Sequence, residues 1–260
     1  MKGSHNGMQS ASRLFAILES FLETGKQMGI TEVSRLTGLH KSTVYRFLNA
    51  MELEGYVIKD AVTGKYDLGY KILKLARHIL DNLEVREKAR PYLEELADAS
   101  GKAITLSVLE QGDVVCIDYV EKGHSGGVIK KVGSRVYAHC TSSGKVLLSE
   151  LSPKLLRLIV KRKGLPQKTM RSITSYEKLS EELKKVRKKG YASGLRECEE
   201  NRNGVAAPVR NVHGMIIAAV SINGTVDEVT EEKIISEYTD LVIKAAADIS
   251  EAMNQSEFSR

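Results

Sequence analysis

Polar side chains with the spacing of a recognition surface lie in HKSTVYRFLNAMELEGYV, residues 40–57. Hydroxyls, an amide and cations crowd one side of the predicted helix, toward its N-terminal end. Val44, Leu48 and Met51 fall on the opposite, apolar stripe, and Gly55 can leave the helix with positive φ. Such a face can hydrogen-bond to a polar partner, and an ordinary solvated helix is the alternative.

A second group of polar residues, HCTSSGK at 139–145, precedes a helix predicted to begin near Ser143. A helix N-terminus favours anionic groups, because its first N–H groups lack partners and its dipole end is positive. The pattern therefore predicts a pocket for a carboxylate-bearing molecule. Capping of the helix by the same hydroxyls is the alternative.

The same stretch could also support nucleophilic catalysis, with Cys140 as nucleophile, His139 as base and Glu197 as the orienting acid. Adjacent residues on an extended strand point to opposite faces, which argues against a Cys–His contact. The histidines and cysteines show neither the CxxC nor the HxxxH spacing of a structural zinc site. We therefore expect no catalytic residues, no metal and no cofactor.

The composition is that of an ordinary globular protein, with 260 residues, 42% hydrophobic and 28% charged. No apolar run approaches the roughly 20 residues of a membrane helix, and the N-terminus lacks the apolar core of a signal peptide. Three widely spaced cysteines indicate reduced thiols, so we expect a cytoplasmic location and no membrane partner. A net charge of +6 permits nucleic-acid binding without requiring it.

The elements around residues 40–57 predict a helix-turn-helix. SASRLFAILESFLE and ITEVSRLTGL are two amphipathic helices ahead of it; Thr31 can cap the second and Gly38 makes the tight turn. Downstream, YVIKD and KYDLG are β-prone runs around a turn that carries Gly64, which is typical of a wing. Together they predict a winged helix-turn-helix domain over residues 8–70.

In that fold the third helix, which ends at Gly55, enters the major groove of double-stranded operator DNA with its N-terminal residues leading. Wing and flanking lysines would contact the phosphate backbone. The predicted DNA-binding residues are Thr31, Lys41, Ser42, Thr43, Tyr45, Arg46, Asn49, Lys59 and Lys65.

Residues 69–101 predict two connector helices. The first, a linker helix over 71–84, is apolar over so wide an arc that we expect it to pack against another surface, and we favour a second subunit. Pro91 is predicted in the first turn of the second helix, which ends at Gly101.

From residue 102 onward the pattern predicts hairpins mixed with helices. Two β-runs flank Gln111–Asp113, GVIKKVGSRV adds a strand and a loop, and three strands follow residue 190 with a turn at 211–214. Residues 229–253 predict one long closing helix. The fold class is therefore α+β around an antiparallel sheet, with a second domain over residues 85–254.

Three stretches resemble the IclR family of bacterial transcriptional regulators: STVYRFLNAMELEGYV followed by YDLGYKILKLA, then AHCTSSGKVLLSEL, and KGYASGLRECEENRNGVAAPVRNVHGMIIAAVSING. The resemblance implies a GAF-like C-terminal domain that binds a small-molecule effector, and homodimers or homotetramers that act on operator DNA. Gly194 and Gly204 depart from the family signature, which usually carries Asp or Ser at the first position and Cys, Ser or Ala at the second.

Glu197 matches the signature acid of the family, and Ser221 and Asn223 share one face of a predicted strand. The candidate effector-binding residues are His139, Cys140, Thr141, Ser142, Glu197, Ser221 and Asn223. A structural ion pair is the alternative for Glu197. For the whole chain, the alternatives are a regulator whose second domain serves only assembly and, from another class, an enzyme that uses Cys140.

Overall fold

The computed structural model describes residues 4–121 and 131–257. The chain divides between Asn82 and Leu83 into two compact units. None of the helices within the described ranges has both the length and the hydrophobicity of a membrane span.

The N-terminal unit is a winged helix-turn-helix, as the sequence predicts. Its elements in chain order are α1 (Ser4–Thr24), α2 (Ile30–Thr37), α3 (Lys41–Leu53), β1 (Val57–Lys59), β2 (Tyr66–Leu68) and α4 (Lys71–Asp81). β1 and β2 pair antiparallel with Val57 opposite Leu68, which forms the wing directly after α3. Gly38 and Gly64 have positive φ at the two predicted turns.

The core of this unit contains the predicted apolar stripe of α3, since Val44, Leu48 and Met51 are buried beside Val33 of α2. The prediction that Thr31 caps α2 is wrong. The N-cap lies two residues earlier, at Gly29, and the Glu32 carboxylate accepts the Gly29 N–H at 2.8 Å. Glycine takes the extended N-cap conformation easily, so the carboxylate three residues later satisfies the first free donor.

α4 buries none of its residues within the described chain. Leu73, Leu75 and Ile79 are each at least half exposed. The wide apolar arc predicted for this helix is therefore present, and it is uncovered.

The C-terminal unit is built on a six-stranded antiparallel sheet in the order β5-β4-β3-β8-β7-β6, which confirms the α+β fold class. The strands are β3 (Ala103–Glu110), β4 (Asp113–Val120), β5 (Arg135–Tyr137), β6 (Ala192–Leu195), β7 (Arg202–Arg210) and β8 (Ile216–Thr225). The helices are α5 (Glu84–Ser100), α6 (Ser142–Leu148), α7 (Pro153–Lys163), α8 (Tyr176–Lys189), α9 (Glu231–Lys233) and α10 (Thr239–Glu257).

Helices cover both faces of this sheet. On one face, Leu93 of α5 and Ile249 of α10 pack with Ile104, Val205 and other strand residues in one core. On the other face, α6 and α8 pack over Ala206 and Ala219 in a second core. The two cores pack against the sheet from both sides, and the site described below lies on the α6 face.

Three details differ from the sequence predictions. Pro91 lies in the middle of α5 rather than in its first turn, because Val85 and Ala89 extend the buried stripe upstream and this packing outweighs the lost backbone hydrogen bond. The closing helix is interrupted by a π-turn, Ile234–Tyr238. The strand predicted in GVIKKVGSRV falls mostly on 122–130, outside the described residues, and the described strand β5 follows Gly133.

Candidate DNA-reading face and effector pocket

The N-terminal half of α3 presents its polar side chains to solvent. Lys41, Ser42, Tyr45, Arg46 and Asn49 are exposed, and Thr43 is half-buried. Because the buried stripe faces the other way, these side chains can be changed without opening the core.

The start of α3 is fixed by His40, the N-cap residue, whose Nδ1 accepts the Ser42 N–H and lies 2.8 Å from Ser42 Oγ. This contact orients Ser42 at the leading end of the helix. His40 was counted among the polar residues of this helix but its N-cap role was not predicted, although a polar residue directly before a predicted helix is a recognisable cap signal.

The wing carries the two predicted lysines at its exposed edge. Lys65 is exposed, and the Lys59 ammonium lies 5.5 Å from the centre of the Tyr66 ring. At the wing tip the Asp60 carboxylate accepts the N–H groups of Val62 and Thr63. These hydrogen bonds, from Thr63 above all, lower the pKa of Asp60 and keep the turn closed.

α3 and the wing together present cations, hydroxyls and an amide from one short stretch of chain. Amide, hydroxyl and guanidinium groups are the side chains that read base edges, and lysines are typical phosphate contacts. Thr31 and Arg35 of α2 are also exposed; the sequence analysis named the first and missed the second.

The second site is a cavity of about 60 Å³ on the α6 face of the sheet. Its floor is a row of residues that stand in register across neighbouring strands: Gly194 on β6, Gly204 on β7, Asn223 on β8 and Ala103 on β3. Residues in register on adjacent strands share a face, so this run of small side chains leaves a depression. Such a volume has room for about four water molecules.

The walls of the cavity are the start of α6 and the loop after β6. Thr141 and Ser142 line one side, while Glu197, Cys198 and Glu199 line the other. Thr141 also caps α6, because its Oγ1 accepts the Gly144 N–H at 3.2 Å. The capping alternative therefore holds for Thr141, which lines the cavity at the same time.

A buried ion pair fixes the loop wall to α6. Lys145, with 2% of its side chain exposed, places its Nζ 2.6 Å from Glu197 Oε1 and 3.7 Å from Glu182 Oε1. The ion-pair role of Glu197 is thus present, and the sequence analysis missed Lys145 as the partner. The only signal was a lysine directly before the apolar run Val146–Leu148 of α6.

A buried chain of hydroxyl groups lies beside the floor, on the same face of the sheet. Ser221 Oγ lies 2.7 Å from Thr105 Oγ1 and accepts the Ser143 hydroxyl at 3.0 Å. The Asn223 Nδ2 donates to Thr105 Oγ1 and Ser221 Oγ. Ser221 is fully buried in this chain and is not among the residues that line the cavity, so it supports Asn223 from the neighbouring position on the same face.

His139 and Cys140 belong to a short 3₁₀ turn, Ala138–Cys140, and not to the extended strand assumed from the sequence. The His139 ring lies 3.1 Å from the Pro166 carbonyl oxygen, whereas the Cys140 thiol donates to the Tyr137 carbonyl. Burial lowers the pKa of His139, so the ring is neutral and its Nε2–H donates to Pro166. The two side chains donate to different carbonyl groups, and of the two only Cys140 lines the cavity.

The structure therefore brings together Cys140, Thr141, Ser142, Glu197 and Asn223 of the predicted set, and leaves His139 and Ser221 in supporting positions. Further lining residues come from distant strands and carry no local sequence signal: Thr105, Tyr119, Glu121, Arg202 and Asn203. Burial raises the pKa of Tyr119 well above its ordinary value, and the nearby Glu121 carboxylate adds to this effect. The phenol of Tyr119 therefore stays protonated. Among the described residues, no three His, Cys, Asp or Glu side chains are placed to hold a metal ion.

Comparisons with known proteins match both units. The model for the C-terminal domain of the bacterial transcriptional regulator IclR matches residues 77–251, and that for the IclR helix-turn-helix domain matches residues 10–61. The chain is similar to the Escherichia coli regulators KdgR (31% identity over 97% of this chain and 95% of that protein) and XynR (30% over 87% and 90%).

Solved structures of IclR-family proteins are similar to this chain as well. The Thermotoga maritima IclR structure superposes with a TM-score of 0.75 at 29% identity, covering 95% of this chain and 99% of that one. The C-terminal domain of E. coli KdgR superposes with a TM-score of 0.59 at 29% identity, covering 66% and 99%.

Proposed function

The chain belongs to the IclR family of bacterial DNA-binding transcriptional regulators, and from this premise we propose that it couples operator binding to a small effector held in the cavity of its C-terminal unit. Residues 8–70 form the DNA-binding domain, 71–84 the linker helix and 85–254 the effector domain. Acting on DNA, the protein works in the cytoplasm.

The observation that carries the DNA half of the proposal is the exposed polar face of α3. Ser42, Thr43, Tyr45 and Arg46 read base edges or phosphates near the leading end of the helix, while Asn49 follows one turn later. Lys41 and the wing lysines Lys59 and Lys65 contact the flanking phosphate backbone of the DNA, and Thr31 at the start of α2 adds a further phosphate contact.

The uncovered apolar surface of the N-terminal unit supports a homodimer, with a homotetramer as the larger alternative. A groove lined by Leu14, Leu18 and Leu22 of α1 and by Ile72 and Leu75 of α4 is almost wholly apolar. An exposed apolar surface of this kind favours association, and a two-fold dimer doubles the number of base pairs that are read.

The cavity supports the effector half of the proposal. It is lined by polar groups, walled by the start of α6, and fixed by the Lys145–Glu197 ion pair. A carboxylate on the effector stays a prediction from the sequence. The effector acts by its differential affinity for two arrangements of the dimer, which shifts operator affinity.

The test combines genomic selection with an effector assay. Purified protein should enrich a few palindromic fragments at near-physiological salt. A small-molecule extract of the native cells should then change its affinity for the best site. Uniform recovery of all fragments, lost as salt rises, would contradict operator recognition. If the protein selects specific sites but no extract changes its affinity for them, the result would favour a regulator whose second unit serves only assembly. Turnover of a metabolite abolished by Cys140→Ala would instead favour an enzyme.

A further inference from the structure

The polar atoms that face the cavity are rich in acceptors. Asn223 turns its Nδ2 toward the sheet, where the carbonyl of Ser221, at 3.3 Å, can only accept. The amide orientation is therefore fixed, and Oδ1 points the other way, to the space above Gly204. This oxygen offers a ligand an acceptor and no donor.

Glu197 supplies a second acceptor. Its Oε1 accepts from Lys145, but its Oε2 is buried without a hydrogen-bond partner among the described residues. An unpaired buried acceptor costs free energy, which a donor delivered from the cavity would recover. Because Lys145 already balances the carboxylate charge, a neutral hydroxyl suits this oxygen better than a second cation.

The charges of the lining disfavour an anion. Among the described lining residues, Glu121, Glu197 and Glu199 carry carboxylates, whereas Arg202 carries a guanidinium that lies 3.8 Å from Glu199. Lys145 balances the Glu197 carboxylate and Arg202 lies beside Glu199, so an entering carboxylate would find these two cations already paired.

The two glycines of the floor keep these acceptors uncovered. A Cβ on Gly204 would lie 2.9 Å from Asn223 Oδ1 and 3.3 Å from Ser142 Oγ, and a Cβ on Gly194 would lie 3.0 Å from Ser142 N. A ligand can therefore lie flat against the strands where another residue would fill the space.

We propose that the effector is a small polyhydroxylated molecule whose adjacent hydroxyl groups donate to Glu197 Oε2 and Asn223 Oδ1 above the Gly194–Gly204 floor. This inference rests on the proposed effector function and names the chemical class that the cavity takes. Ser142 Oγ and the protonated Tyr119 phenol can donate in return to the oxygens of the same hydroxyls.

The first test uses defined four-carbon probes on the full-length protein. Calorimetric titration should show erythritol binding at least tenfold more tightly than 1,4-butanediol, which lacks the inner hydroxyls, and more tightly than succinate. Glu197→Gln, which puts an amide donor where Oε2 stood, and Gly204→Ala, which fills the floor, should each weaken erythritol binding at least tenfold. Asp227→Asn, an exposed change outside the lining, should leave it unaltered.

The second test separates this inference from the effector function itself. Periodate cleaves adjacent hydroxyls, so a native-cell extract that alters operator affinity should lose this effect after periodate treatment and removal of the reagent with sulfite. An extract that stays active, or succinate bound more tightly than erythritol, would overturn the polyhydroxylated class and leave the effector function standing. An extract without effect before treatment would overturn both.

Discussion

The two sites of this protein relate differently to the fold that carries them. On α3 the residues that face solvent, such as Arg46, are separate from Val44, Leu48 and Met51, which hold the helix in place. In the cavity, Lys145, Glu197 and Asn223 line or fix the site and also belong to the buried contacts of the unit. Recognition can therefore be altered independently of stability in the first unit but not in the second.

The largest expected effect is on Lys145. Lys145→Ala leaves the Glu197 carboxylate buried without its partner, and breaking a buried pair from one side costs about 3–5 kcal/mol. Scanning calorimetry should show the transition of the C-terminal unit at a clearly lower temperature. Lys185→Ala, at an exposed lysine that also pairs with Glu182, should change the free energy of unfolding by less than about 0.5 kcal/mol. An equal effect of both variants would mean that the buried Lys145–Glu197 pair contributes no more to stability than the exposed Lys185–Glu182 pair.

Arg46→Ala tests whether recognition can change without a change in stability. It should weaken operator binding by about 1–3 kcal/mol, because it removes a predicted groove contact, without lowering the melting temperature. Fluorescence anisotropy with the selected operator measures the affinity. Lys154→Ala, an exposed cation on α7, serves as the matched control and should leave it unchanged. Unaltered affinity in the Arg46 variant would mean that α3 is not the reading helix.

The wing lysines should show a smaller, sequence-independent effect. Lys59→Ala and Lys65→Ala each remove one predicted phosphate contact, so the slope of log affinity against log salt should fall by about 1 for each. Titrations at several salt concentrations, on operator and on unrelated DNA, give the slopes. A change confined to operator DNA would instead indicate base contacts from the wing.

The smallest expected effect concerns His139. Burial lowers its pKa below the ordinary 6.5, so the unfolded chain takes up a proton more readily than the folded one. The contribution of neutral His139 to the stability of the folded protein is fully present above pH 6.5 and is lost as the pH falls below that value. Melting temperatures between pH 7.5 and 5.5 should decline less in His139→Gln, whose amide can still donate to Pro166. An unchanged decline would assign the pH dependence to other groups.

The same contrast explains what the sequence could predict. The reading face comes from one continuous stretch, and helical periodicity alone placed Val44, Leu48 and Met51 inside and the polar residues outside. The cavity floor joins Ala103 to Asn223 through strand register, which no local pattern encodes. The sequence thus predicted the fold class and part of the wall, but missed Tyr119, Glu121 and Arg202. The errors at Thr31 and Pro91 have one origin, because the start of a helix is decided by neighbours and packing.

One feature of the C-terminal unit also sets a timescale. All seven residues of α6 are buried between the sheet and the outer helices. Backbone amides in such a helix exchange with solvent deuterium only when the unit opens as a whole, whereas amides at exposed ends exchange through local fraying. Occupation of the cavity beside Ser142 should therefore slow deuterium uptake in α6 and in the central strands by a common factor. The helix would report effector binding as a change in the free energy of opening of the entire unit.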